Sequence, residues 1–106
     1  MEGAFDVASL WQEGFRNATC AFGTHLTQTQ IAQIAQRPGR EVFIAFDSDR
    51  NHAGQSAARS LGRKLKQAAL RVRIVSLPAK HDPNSFFLSG ATAEDFRRRV
   101  EQAEVL

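Results

Sequence analysis

Apolar positions along the chain fall into runs whose period switches between helical and extended. Residues 4–13 place Ala4, Phe5, Val7, Ala8, Leu10 and Trp11 around most of a helix circumference, which predicts a deeply buried helix. Gly14 suits the position just past its end. NATCAF, 17–22, is a short β-prone run closed by Gly23. Thr27 reads as an N-cap with Gln30 completing a capping box, and Leu26 and Ile31 stand where a hydrophobic staple would place them. That helix covers 28–36 and stops at Pro38-Gly39.

VFIAF, 42–46, is apolar without interruption, the mark of a strand covered on both faces, as in a parallel sheet. A long helix over about 52–69 follows, with Ala53, Ala57, Leu61, Leu65 and Ala68 facing inward. VRIVSL, 72–77, is the next strand, and Pro78 ends it. After a loop, Thr92 caps a last helix through 103, with Asp95 at its third position and Phe96 and Val100 inward. Helix and strand alternate throughout, which predicts one α/β domain over 1–106 with a mainly parallel sheet and helices on both faces. No repeat, low-complexity tract or linker interrupts it. A domain of this kind ordinarily opens with a strand, yet Glu2 is already the second residue.

Composition narrows the class. A chain of 106 residues, 42% apolar with eight Phe, builds one core. No apolar run approaches the roughly 20 residues of a membrane span. MEGAFD carries acids and no Lys or Arg, unlike a secretory signal. Cys20 is the only cysteine, which excludes an internal disulfide and a cysteine-pair zinc site and fits a reducing cytoplasm. The net charge of +3 permits a nucleic-acid partner without demonstrating one.

The candidate chemistry lies in the acids. Asp47 ends the VFIAF strand and Asp49 lies two residues on; open α/β sheets place ligands at strand C-terminal ends. Two carboxylates this close repel unless one takes a proton or a hard cation joins them. The plainer reading makes them solvated turn residues, with Asp49 or Asn51 capping the helix from 52. Glu2 and Asp6 form a second acidic site, and Asp82 in HDPN a third, each beside a strand end or a helix start. Acids at corresponding places in successive β/α units can converge on one rim.

The ordered set EGAFD, FGT, FDSDRNHAGQSAA and LPAKHDPNSFF resembles the Toprim domain of bacterial primases, over Glu2 to about Phe96. It is most similar to primase-type Toprim proteins carried by mobile elements. The resemblance implies a Rossmann-like three-layer α/β/α fold and Mg²⁺- or Mn²⁺-dependent nucleotidyl transfer, in which ribonucleotides are joined on a single-stranded DNA template. It implies general acid/base work or metal support for Glu2, metal binding by Asp47, Asp49 and Asp82, and a supporting place for Asp6. The expected partners are template, ribonucleotides and either other primase domains, such as a zinc-binding module, or a helicase. Two departures stand out. Asn84 replaces a third acid, keeping an oxygen and dropping a charge. The apolar strand that precedes the family's glutamate is missing, with Met1 in its place; the chain is a fragment, its start is miscalled, or another chain supplies the strand. Without template-binding and zinc-binding regions, the isolated chain is expected to make few primers or none. A Toprim-type phosphodiester nuclease and a non-catalytic accessory module for nucleic acid or a partner protein remain alternatives. A topoisomerase needs a nucleophilic tyrosine, and the chain has no Tyr.

Several basic and polar residues have two readings. Arg50 meets a nucleotide phosphate or balances Asp47 and Asp49. Arg59, Arg63 and Lys64 track a nucleic-acid backbone or form a solvated helix face. Gly23 and Thr24 approach a phosphate through their backbone or make a plain turn. His25, His52 and His81 lack a metal-ligand spacing. Phe86 and Phe87 read as an apolar anchor before base-stacking residues, and Cys20 as buried and inert.

Overall fold

The computed structural model describes residues 1–21, 23, 25–37, 39–48 and 53–106. The expectations for Thr24, Asp49 and Arg50, the helix cap at Asp49 or Asn51, and the side chain of Ala53 lie outside the described residues. The elements in order are α1 (Ala4–Gln12), α2 (Gln28–Ile34), β1 (Glu41–Ile44), α3 (Ala53–Gln67), β2 (Arg71–Ile74), α4 (Pro83–Leu88), α5 (Ala93–Glu101) and β3 (Glu104–Val105). The sheet order is β1-β2-β3, with β1 parallel to β2 and β3 antiparallel. The register sets Val42 beside Val72 and Ile44 beside Ile74.

Alternation along the strands sorts the core into two halves. Ile44, Phe46, Val72 and Ile74 pack with Ala58, Leu61 and Leu65 of α3. Ala45, Val75 and Leu77 face the other way, onto Leu10, Phe86 and Phe96 of α1, α4 and α5. The sheet is therefore covered on both sides at residues 44–46, as the VFIAF run predicts, whereas Phe43 within that run stays 38% exposed. The Gln30 amide donates to Thr27 Oγ1 at 3.1 Å, and Asp95 N to Thr92 Oγ1 at 3.2 Å, so both sequence-read caps form. Gly62 lets α3 lie close to the sheet, since a methyl group there would press on Val72 Cγ1 of β2 at 3.3 Å. No described helix is long and apolar enough to cross a membrane.

Four expectations need correction. α1 is not deeply buried: Leu10 is 2% exposed, but Phe5 is 80% and Trp11 46% exposed, because only one stripe of the helix meets the sheet and α4. Residues 17–21 form no strand: Asn17 lies in a bend, and Ala21 ties the segment to the chain start, its N donating to Met1 O at 3.0 Å. The segment read as a loop after Pro78 holds α4, opened by Asp82 as N-cap with Pro83 in the first turn. The C-terminal residues add the short antiparallel strand β3, which no apolar period announced.

Candidate metal centre

The C-terminal ends of β1 and β2 are tied together by backbone. Ser48 N donates to His81 O at 3.0 Å, and Lys80 N donates to Ser48 O. This brings Asp47, just past β1, against the N-terminus of α4. There Asp82 Oδ1 accepts from Ser85 N at 2.7 Å, and Ser85 Oγ accepts from Asp82 N at 3.1 Å. Asp6, in the first turn of α1, arrives from the other side. Its Oδ1 accepts from Asn84 N at 2.9 Å and its Oδ2 from Gly3 N at 3.2 Å, so one carboxylate joins the starts of α1 and α4. Asp6 is 5% exposed.

The result is a cluster in which Asp6, Asp47 and Asp82 each offer a carboxylate oxygen, all within 4.8 Å of one another. These acids share a cavity of about 290 Å³ with Glu2, Gly3, Phe5 and Asn84. Glu2 Oε2 accepts from Asp47 N at 2.7 Å and so fixes the turn after β1. Asn84 Oδ1 accepts from Ser9 Oγ at 2.6 Å. Asp47 Oδ1 is buried and, among the described residues, is the one buried side-chain oxygen or nitrogen without a hydrogen-bond partner. Burial first, then a hydrogen bond with the Glu2 carboxyl and repulsion from Glu2, Asp82 and Asp6, push the Asp47 carboxyl up to about 7. Burial also raises Asp6, against the lowering effect of its backbone donors.

These shifts fix a pH dependence. The folded chain holds the Asp47 proton up to about 7, whereas an ordinary carboxyl releases it near 3.8. Over that window the folded state binds more protons than the unfolded state, so stability falls as pH rises. Solvent screening of a partly exposed group trims the effect to about 1 kcal/mol. The metal-free chain is expected to melt roughly 5 °C lower at pH 8 than at pH 5, and millimolar Mg²⁺ at pH 8 to restore most of the difference. Calorimetry across that range, with and without Mg²⁺, checks both signs.

The basic residues go elsewhere. Arg59 Nη2 pairs with Glu104 Oε2 at 2.7 Å, tying α3 to β3. The start of α3 lies against Asp47, where a methyl group on Gly54 would overlap the Asp47 carbonyl oxygen. Arg63 and Lys64 stand 10 and 11 residues beyond Ala53, roughly 15 Å farther along the helix axis, and neither lines the acidic cavity. Gly23 N donates to Glu2 O at 3.1 Å. His81 Nδ1 lies 2.9 Å from Ser85 Oγ. Sequence reasoning passed over Ser9, Ser85 and Gly54. The Asp82–Ser85 spacing with Pro83 between was a readable capping signal; nothing local marks Ser9 as the partner of a residue 75 positions away.

Residues 1–87 match the family described as Toprim-like. A DNA primase of Pseudomonas aeruginosa is 39% identical over 106 residues, covering 96% of this chain and 15% of the relative. The crystal structure of the Aquifex aeolicus primase zinc-binding and RNA polymerase domains superposes with a TM-score of 0.85 at 34% identity, over 99% of this chain and 25% of that one. A DnaG primase catalytic domain bound to single-stranded DNA gives 0.76 at 27% identity, over 98% and 33%. The chain belongs to the Toprim-like family and is a Toprim domain of the primase type. It spans only 15 to 20% of the length of primases such as those of Pseudomonas aeruginosa and Aquifex aeolicus.

Proposed function

We propose that this chain is the divalent-metal-dependent catalytic module of a DNA primase, acting in the cytoplasm to join ribonucleotides on a single-stranded DNA template. The observation that carries the reading is the convergence of Asp6, Asp47 and Asp82 around a buried Asp47 oxygen that has no hydrogen-bond partner among the described residues. A hard cation such as Mg²⁺ or Mn²⁺ suits an all-oxygen donor set of this charge. Asp47 and Asp82 would hold it, with Asp49 as the second acid of the D-S-D sequence. When bound, the ion supplies charge neutralisation for the reacting phosphate and its attacking hydroxyl. Glu2 keeps the turn carrying Asp47 in place through its amide. Asp6 serves as the joint between α1 and α4, and Asn84 reaches back to Ser9. Arg50, Gly23 and Thr24 would contact phosphate, and Arg59, Arg63 and Lys64 the nucleic-acid backbone beyond the pocket. The remaining primase machinery, a zinc-binding module or a helicase, would come from outside these residues.

A specific observation also favours an accessory role. The Asn84 oxygen holds Ser9 instead of standing free, and one acid fewer weakens the case for two ions. The decisive experiment replaces the matching segment of the Pseudomonas aeruginosa primase with this chain. Mg²⁺-dependent primers from labelled ribonucleotides, lost in the Asp47→Asn chimera, are the expected result. A chimera that folds and binds Mn²⁺ but makes no primers establishes the accessory role, and metal-dependent cutting of the template establishes a nuclease. The 106-residue chain by itself is expected to yield few primers or none.

A further inference from the structure

Lys80 holds a backbone conformation that its side chain disfavours. His81 N donates to Pro78 O at 3.1 Å, which closes a four-residue turn over Pro78, Ala79, Lys80 and His81. Lys80 is the third residue of that turn, and its φ is 67°. A positive φ at this place favours Gly or Asn, because a Cβ crowds the following carbonyl oxygen. One other described non-glycine residue shares the feature, Ala69 at φ 66°. Ala69 has an ordinary reason for it. It follows the last turn of α3, where Ala69 N donates to Lys66 O at 3.0 Å and Leu70 N to Leu65 O at 3.2 Å, and helices commonly end on such a residue. Lys80 ends no helix. Nothing within the turn calls for a lysine.

The turn lies against the candidate metal centre. Lys80 N donates to Ser48 O, and Ser48 N donates to His81 O at 3.0 Å, so Lys80 stands beside the residue that follows Asp47. Two positions further along, Asp82 supplies another carboxylate of the cluster. The Lys80 side chain is exposed. Among the described residues the ion pairs engage Arg59, Arg73, Arg97 and Arg98, and Lys80 takes part in none. No Lys or Arg is among the residues lining the acidic cavity.

We propose that Lys80 binds the polyphosphate tail of a nucleotide whose metal ion is held by Asp47 and Asp82. The proposal rests on the metal-dependent reading of the site and names a residue that meets the substrate there. Charge decides the class of ligand. Three carboxylates and one dication leave the cluster negative. A polyphosphate brings several more negative charges, so a cation outside the metal's donor set has to offset them. Lysine suits that task, with a compact ammonium of three donors and no acceptor on a flexible four-carbon stem. Because Lys80 is not paired with the neighbouring acids, their oxygens stay available to the metal. The left-handed residue is the cost of carrying this side chain at the rim of the site, and such conformations persist where the surrounding structure and a function hold them.

The test compares the full chain with Lys80→Gly, Lys80→Gln and Lys80→Arg. The probe is inorganic pyrophosphate with Mg²⁺ at pH 8, followed by phosphorus NMR. Lys80→Gly and Lys80→Gln are each expected to weaken pyrophosphate binding about tenfold, and Lys80→Arg to stay within about threefold of the parent. Mn²⁺ affinity, read by isothermal titration, is expected to be unchanged in all three. Stability separates this role from a structural one. Lys80→Gly is expected to melt roughly 4 °C above the parent, because glycine accepts the positive φ, and Lys80→Gln within about 1 °C of it. A lysine kept for packing would lose stability in both. Equal pyrophosphate binding by parent and variants overturns the proposal, and so does a parent that binds Mn²⁺ but no pyrophosphate. A parent that binds no Mn²⁺ sinks the metal reading instead, and the same comparison with pyrophosphate alone then decides for or against Lys80. A single-stranded oligodeoxynucleotide distinguishes the two sources of phosphate. If Lys80→Gln weakens its binding as much as that of pyrophosphate, Lys80 meets a nucleic-acid backbone and the assignment to a nucleotide tail fails.

Discussion

Asp47→Asn is expected to remove divalent-cation binding and, in the same molecule, to stabilise the metal-free chain at pH 8. Both effects come from one oxygen. Asp47 Oδ1 is buried without a partner among the described residues, and the carboxylates of Asp6 and Asp82 approach within 4.8 Å. Holding a charge there without a counterion opposes folding, which is why the carboxyl keeps its proton up to about 7. Asn retains the shape and one acceptor oxygen while ending the repulsion. Binding changes the other way, because a hard cation draws most of its affinity from ligand charge. Mn²⁺ affinity, read by isothermal titration, should fall at least about hundredfold. The melting temperature of the metal-free variant at pH 8 should rise by roughly 5 °C. A variant that binds Mn²⁺ as tightly as the parent removes Asp47 from the metal site; one that melts lower shows that its carboxylate is satisfied in a way the geometry does not reveal.

How far the sequence reached depends on the range of the forces involved. The strands at 42–46 and 72–77 were legible because burial on both faces leaves an unbroken apolar run. The caps at Thr27 and Thr92 were legible because their partners lie three residues away. α1 was misread as deeply buried because apolar residues surround it, and no local signal separates Leu10, which meets the core, from Phe5, which meets solvent. The acids were candidates by residue type and by their places at element ends. Their convergence on one rim was an expectation from those places and from the family resemblance; the contacts that produce it were not legible, because they depend on the Ser48–His81 backbone pairing and on Asp6 reaching Asn84, 78 positions away. The pairing of Arg59 with Glu104, 45 positions apart, shows the same limit: a basic helix face reads alike whether its cations face a phosphate or brace a strand.

Asp6→Ala is expected to act on stability with the opposite sign, which distinguishes two acids that the sequence treats alike. Asp6 is the more buried, yet both its oxygens are occupied, by the amides of Asn84 and Gly3. Both amides sit at helix starts, where no turn of helix supplies an acceptor. Alanine leaves them unpaired in a place that water reaches poorly, and it uncouples α1 from α4. Each lost acceptor costs on the order of 1–2 kcal/mol, offset in part by relief of the burial that raises the Asp6 carboxyl. The melting temperature should drop by roughly 10 °C. Asp6→Asn should recover about half of that, since its carbonyl oxygen can accept from Asn84 N while its amide cannot serve Gly3 N. Metal affinity should follow position rather than charge: Asp82 and Asn84 ride on α4, so loosening the joint should weaken Mn²⁺ binding about tenfold in Asp6→Ala and less in Asp6→Asn. If the two variants lose Mn²⁺ affinity equally while differing in stability, Asp6 is a ligand in its own right, and the division of labour between a holding acid and a bracing acid fails.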